Sequence, residues 1–238
     1  MVRLPLRLQT VYRLVPPEKP MVDIGTDHAF LPIELVRSGR VPSALAFDVR
    51  KGPLKIAGEH IRSAGLSDRI QTRLSDGFAA LNAGEAETAV IAGMGGGTIR
   101  GILERKDPRE VGIRTLILGP QSEEEALRFY LQAQGYLVYE ERYVEEEGKI
   151  YGILAVRAGK EPALSETEAR FGRVALNRRD PVLRESLEKK ERIYREILAK
   201  LPENEAGTER RKELEEELSY VKEAQKRWKE QDEWQKNM

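Results

Sequence analysis

The sequence predicts an open, mostly parallel α/β sheet followed by a separate helical hairpin. Three observations predict it. Short apolar runs alternate with helix-like stretches through residues 1–160. The runs end in acids and glycines: Asp23-Ile24-Gly25-Thr26-Asp27-His28-Ala29, then Asp48, Asp76-Gly77 and Gly93-Met94-Gly95-Gly96-Gly97. After Gly159, apolar residues recur at three- and four-residue intervals and charge density rises, which marks a second domain over 161–238.

The expected strands are Met21–Ile24, Ala44–Asp48, Ile70–Leu74, Thr88–Ala92 and Thr115–Gly119. Helices are expected near Leu31–Ser38, Pro53–Ala64, Gly97–Glu104 and Glu123–Gln134. Leu54, Ala57, Ile61 and Ala64 give the second of these a buried face. Tyr136–Tyr143 and Ile150–Arg157 flank Glu145-Glu146-Glu147-Gly148-Lys149 and read as an antiparallel hairpin that ends the sheet. In the second domain, Ser165-Glu166-Thr167-Glu168 has the form of a capping box. Asp180-Pro181 predicts a helix start, with a seam at Leu183, Leu187, Lys190, Tyr194, Ile197 and Leu201. Residues 202–207 read as a turn, Thr208 as the next cap, and Leu214, Leu218, Val221, Gln225 and Trp228 as the second seam. The two helices form a predicted antiparallel coiled-coil hairpin.

At 238 residues the chain can bury one sizeable core and carry an appendage. The absence of cysteine excludes disulfides and cysteine-based metal sites or nucleophiles. With only His28 and His60, no metal site is expected. The start lacks a secretory signal, and no apolar run approaches the roughly 18 residues that span a membrane. A soluble cytoplasmic protein is the expectation. Net charge is zero, yet residues 1–75 hold 12 Lys/Arg against 7 Asp/Glu, and residues 170–195 hold 9 against 4. Both stretches could face a polyanion, or could be ordinary solvated helix faces.

Strand ends that carry acids and glycines form a crevice suited to an adenosine-bearing cofactor. Gly25 lets the backbone approach the ligand, and Asp48 offers an acceptor to a ribose diol. Asp27 stands where a dinucleotide fingerprint would place a second glycine. An acid there repels phosphate and favours a cationic ligand, which points to S-adenosylmethionine. Asp76-Gly77 fits either an adenine pocket or an ordinary turn. His28 fits either a ligand contact or a structural role, and His60 reads as structural. The glycine run suits close approach of a base and a methyl donor, with a structural loop as the alternative.

These residues resemble the bacterial tRNA (adenine(22)-N1)-methyltransferases. The resemblance rests on Asp23 through Pro32, on Asp48 with Gly52-Pro53-Leu54, on Ser75-Asp76-Gly77 and on Ala92 through Gly96. Arg7-Leu8, Gly135-Tyr136 and Lys149-Ile150-Tyr151 also match, while Leu118-Gly119-Pro120-Gln121 departs from the expected Gln-Pro-Asn. The resemblance implies a Rossmann-like class I methyltransferase sheet and methyl transfer from S-adenosylmethionine to N1 of adenine 22 in tRNA. It implies cofactor contacts at Arg7, Gly25, Thr26, Asp27, His28, Asp48, Asp76, Gly77 and Gly93. Met94 and Gly95 would meet the base, and Asp27 would act on the moving charge. If the hairpin is a tRNA handle, Arg170, Arg173, Arg178, Arg179 and Arg184 would supply its phosphate contacts; the alternative is a stabilising appendage or a dimer interface. Two other readings stay open: a nicotinamide-dependent oxidoreductase on the same fold, and a non-catalytic RNA-binding or coiled-coil interaction protein.

Overall fold

A computed structural model describes residues 4–202 and 205–236, with side chains except at 205–207 and 231–236. The chain divides into two compact units, Met1–Pro162 and Ala163–Met238.

Among the described residues of the first unit, seven strands form one sheet. They are β1 (Met21–Ile24), β2 (Ala44–Asp48), β3 (Ile70–Leu74), β4 (Thr88–Met94), β5 (Thr115–Pro120), β6 (Tyr136–Glu146) and β7 (Lys149–Ala158). Their order is β3-β2-β1-β4-β5-β7-β6. The first five run parallel, and β7 runs antiparallel to both β5 and β6. The chain winds outward from β1 to β3 and then returns beside β1 as β4. That reversal places the crevice between the carboxyl ends of β1 and β4. Ile24 lies level with Phe47 of β2 and Ile91 of β4, so the three loops open side by side.

β1 and β2 are buried throughout, as expected for strands covered on both faces. The helices are α2 (Phe30–Arg37), α3 (Lys51–Ser63), α4 (Gly96–Arg105) and α5 (Glu124–Ala133). Ala57 and Ile61 of α3 are buried, with Leu54 and Ala64 half-buried beside them. Several boundaries move by one to three residues. β4 continues past Ala92 to Met94 through a bulge at Gly93, whose φ is +82°, so the glycine run begins inside a strand. β5 continues through Pro120.

The 3-10 helix Pro108–Val111 and the short helix Arg173–Arg178 lie outside the predicted set, and so does a longer helix, α1 (Leu6–Leu14). Its signal is the series Leu4, Leu8, Val11 and Val15, spaced at four, three and four. Leu4, Val11 and Val15 are buried, and α1 packs on β5, β6 and β7.

The second unit holds α6 (Glu166–Phe171), α7 (Arg173–Arg178), α8 (Pro181–Leu198) and α9 (Glu205–Lys236). The Ser165–Glu168 capping box forms, and Asp180 accepts from the backbone of Val182 and Leu183 at 3.0 and 3.1 Å. α8 and α9 pack against each other. Two expectations are corrected. α9 starts before Thr208, so Thr208 is not its cap; within the expected turn, residues 203 and 204 lie outside the described residues. Ile197 is exposed and Leu198 is half-buried, because a straight helix drifts off a strict seven-residue seam. The α9 seam holds: Leu214, Leu218, Val221 and Trp228 are buried, joined by Ala224.

Candidate active site

The first βα turn sets the site. Gly25 has φ +78°, Asp27 +49° and Ala29 +58°. Two non-glycine residues in the left-handed region within one short loop is an uncommon, strained arrangement. The Gly25 and Thr26 amides both donate to the Phe47 carbonyl, at 2.8 and 2.9 Å, which ties the turn to the end of β2. A Cβ at Gly25 would collide with Cε of Met94, so the β4 side chain lies directly against this backbone.

A cavity of about 230 Å³ lies against this turn. It gathers six expected residues: Arg7, Gly25, Thr26, Asp27, His28 and Gly93. It also takes in Leu8, Asp23, Phe30, Leu31, Ala92 and Gln121. Asp23 was legible as an acid inside a fully apolar strand. Phe30, Leu31 and Ala92 lay within the motifs of the family resemblance but had no assigned role. Gln121 closed the segment that departs from the family's Gln-Pro-Asn pattern.

Three polar side-chain atoms of the lining residues are orphaned: Arg7 Nε, Thr26 Oγ1 and His28 Nδ1 are buried and have no hydrogen-bond partner. Leaving such a group unpaired typically costs about 1–3 kcal/mol, so a cluster of them is a mark of ligand contact. Arg7 is otherwise held in place. Its backbone amide donates to Glu146 at 3.2 Å, and its guanidinium lies 5.0 Å from the Tyr151 ring centre. His28 Nε2 lies 3.5 Å from Asp27 Oδ2, and that carboxylate is largely exposed at the rim.

Two buried acids stand on β1 and β2: Asp23, which lines the cavity, and Asp48, which does not. Burial pushes the Asp23 carboxyl up to about 6; the Thr26 side chain pulls it down, and the nearby Asp48 charge adds to the rise. Asp48 is 4% exposed at the end of β2. One of its oxygens accepts from the Arg50 amide at 2.8 Å. Two buried carboxylates at neighbouring strand ends make a locus that favours cations and hydroxyl donors.

The cavity does not include Asp48, Asp76, Gly77, Met94 or Gly95 among its lining residues. Asp76 is exposed and accepts from Arg105 at 2.9 Å. Gly77 has φ +55°, and a Cβ there would stand 2.8 Å from Ile102. The rest of the glycine run packs on protein. The Gly96 amide donates to the Ser122 carbonyl at 2.8 Å, and the Gly97 amide donates to the Glu123 carboxylate at 3.1 Å. A Cβ on Gly96 would stand 2.6 Å from the Glu123 carbonyl oxygen. Gly93 alone of the run borders the cavity, facing Gln121.

The five hairpin arginines lie in the second unit. Arg170 pairs with Glu217 at 2.6 Å, Arg173 with Glu168 at 2.8 Å and Arg184 with Glu188 at 3.2 Å. Arg179 donates to the Trp228 carbonyl at 3.1 Å, and Arg178 is exposed.

Comparison with known proteins identifies what this site resembles. A family model described as TrmK, tRNA (adenine(22)-N(1))-methyltransferase, matches residues 21–223. The tRNA (adenine(22)-N(1))-methyltransferase of Bacillus subtilis is 36% identical over 162 residues, 68% of each chain. Sp1610 of Streptococcus pneumoniae, solved in complex with S-adenosyl-L-methionine, superposes with a TM-score of 0.83 at 34% identity, covering 93% of this chain and 99% of that one. TrmK of M. capricolum, solved with S-adenosyl-homocysteine, gives 0.77 at 26% identity, covering 92% and 96%.

Proposed function

The chain belongs to the tRNA (adenine(22)-N(1))-methyltransferase family, and we propose that the cavity at the β1 turn receives the methionine end of the methyl donor. The reaction is S-adenosylmethionine-dependent methylation of N1 of adenine 22 in tRNA. Family membership displaces both the oxidoreductase and the non-catalytic readings. We infer a cytoplasmic site of action from the tRNA substrate. No helix among the described residues is long and apolar enough to cross a membrane.

The observation that carries the assignment is the orphaned Arg7 Nε in the same cavity as Asp23. The residues fit the donor. Arg7 offers its guanidinium to the carboxylate, and Asp23 offers negative charge to the ammonium. Asp48 accepts from the ribose hydroxyls, and Asp76-Gly77 borders the adenine. Thr26 and His28 close the pocket around the methionine chain.

When bound, S-adenosylmethionine would supply an electrophilic methyl carbon to the N1 lone pair, with its sulfur leaving as the neutral thioether. The protein needs no covalent nucleophile. Its work is to exclude water, align N1 behind the methyl carbon and stabilise positive charge as it moves to the base. Asp27 takes the last task in this reading, which is supported by its exposed carboxylate in the cavity lining. Met94 and Gly95 shape the approach of the base, and tRNA reaches Arg178 and Arg179 through its phosphates.

Arg7→Gln tests the cofactor assignment. A charge-assisted bond contributes about 1.5–3 kcal/mol, so cofactor Kd by calorimetry should rise about 10- to 150-fold. Unchanged affinity in a folded variant overturns the placement.

A further inference from the structure

We propose that the cavity between α2 and α3 is a second nucleotide subsite, which holds a tRNA base other than the adenine being methylated. This cavity of about 260 Å³ shares one wall, Phe30, with the cavity at the β1 turn. The proposal rests on the cofactor placement in that neighbouring cavity.

The shared wall is a platform of rings. Phe30 and His60 are stacked, with centroids 5.3 Å apart and planes 16° from parallel. His28 adds a third ring, 5.3 Å from Phe30 and 5.7 Å from His60. His60 is oriented by its Nδ1, 3.0 Å from the His28 carbonyl oxygen, to which it donates in the Nδ1–H tautomer. A flat base extends such a stack, and it does so with little regard to base identity.

The rim matches the rest of a nucleotide. Arg37 and Glu34 stand 4.0 Å apart, a loose pair with both side chains partly in solvent. A guanidinium suits a phosphate, and a carboxylate suits the amino group of a base. Ser63 donates to the Glu59 carbonyl at 2.8 Å, which leaves its oxygen able to accept. The sequence stretch 1–75, to which all the lining residues belong, holds 12 basic against 7 acidic side chains, an excess that favours a polyanion. The volume is below the roughly 300 Å³ at which pockets enclose whole cofactors, and it suits a single base. A nucleotide seated here would lie one ring away from the reaction cavity. It would fix the strand on the side of α2 while the target adenine is turned out of its stack.

The test uses the full-length protein and three variants that do not border the cofactor cavity: His60→Ala, Ser63→Trp and Arg37→Gln. Ser63 is exposed at the end of α3, so its variant keeps the test alive if His60→Ala fails to fold. Ser63→Trp fills the mouth, and His60→Ala removes half of the stack. Each should weaken tRNA binding by about 5- to 150-fold, the range that one stacked base contributes, with cofactor Kd unchanged. Arg37→Gln should make the salt dependence of tRNA binding shallower by up to about 0.9 log unit. Unchanged tRNA affinity in folded Ser63→Trp overturns the proposal. Loss of cofactor affinity in these variants also overturns it, because the cavity would then be part of the cofactor site. A titration with adenosine and uridine monophosphates separates the sources. Mononucleotide binding that persists at saturating tRNA would assign a free-nucleotide site and reject the tRNA base. Failure of the cofactor placement itself is read separately, in Arg7→Gln.

Discussion

At the scale of single residues, Asp23 has the sharpest consequence. Its carboxyl is raised from 3.8 to about 6, chiefly by burial. A raised acid favours the fold fully below its ordinary pKa, and that contribution is lost as pH climbs through the folded value. Asp23→Asn should therefore stabilise the ligand-free protein by up to about 3 kcal/mol at neutral pH and by little near pH 4. Denaturant titrations at the two pH values decide it, and an equal shift at both refutes the linkage. The same charge serves the proposed ammonium contact. Cofactor affinity should rise with pH up to about 6 in the wild type and lie flat in the asparagine variant. Asp27 makes a contrasting case, because it is exposed at the rim rather than buried. Asp27→Asn keeps the shape and removes the charge, so single-turnover methylation should fall more than cofactor affinity. Equal losses would reduce Asp27 to an ordinary contact.

At the scale of elements, the sheet was legible because parallel strands write themselves as apolar runs with functional residues at their ends. β1, β2 and β3 match their predicted bounds, and Asp48 stands at the end of its strand as expected. α1 escaped because it is a short helix with four informative positions, two of them outside its bounds. The glycine run was read as a ligand approach; its packing on Ser122 and Glu123 depends on a β4–β5 loop contact that no local pattern reveals. Orphaned atoms such as Arg7 Nε are invisible in sequence for the same reason: they exist only once α1 meets the sheet. A buried ion pair between α5 and β6 follows this rule too. Arg128 on α5 is 2% exposed and pairs with Glu141 of β6 at 2.8 Å, with Glu124 and Tyr143 beside it. Arg128→Met leaves Glu141 charged and buried, and should cost about 3–5 kcal/mol. Adding Glu141→Leu should recover most of that loss. A double variant as unstable as the single one would show that the pair is not the coupled unit.

At the scale of the whole molecule, the division at Pro162 separates two jobs in the proposed reading. Every residue assigned to the cofactor lies in the first unit. The second unit has its own caps and its own buried seam, and its stretch 170–195 carries 9 basic against 4 acidic side chains. That excess is partly spent internally. Arg170, Arg173 and Arg184 hold acids of the same unit, and Arg178 and Arg179 are the adjacent pair that the sequence puts forward for phosphate. A chain ending at Pro162 should fold and bind S-adenosylmethionine with Kd within about threefold of the full protein, a difference under 1 kcal/mol. It should methylate tRNA poorly. Arg178→Ala with Arg179→Ala in the full chain should weaken tRNA binding whatever the base sequence, and flatten its salt dependence by up to about 0.9 log unit per lost duplex contact. Binding measured at several salt concentrations for wild type, truncation and double variant separates the possibilities. If the folded truncation binds tRNA with full affinity, the helical unit is not the handle, and the phosphate contacts must lie on the first unit, whose leading 75 residues carry the same excess of basic side chains.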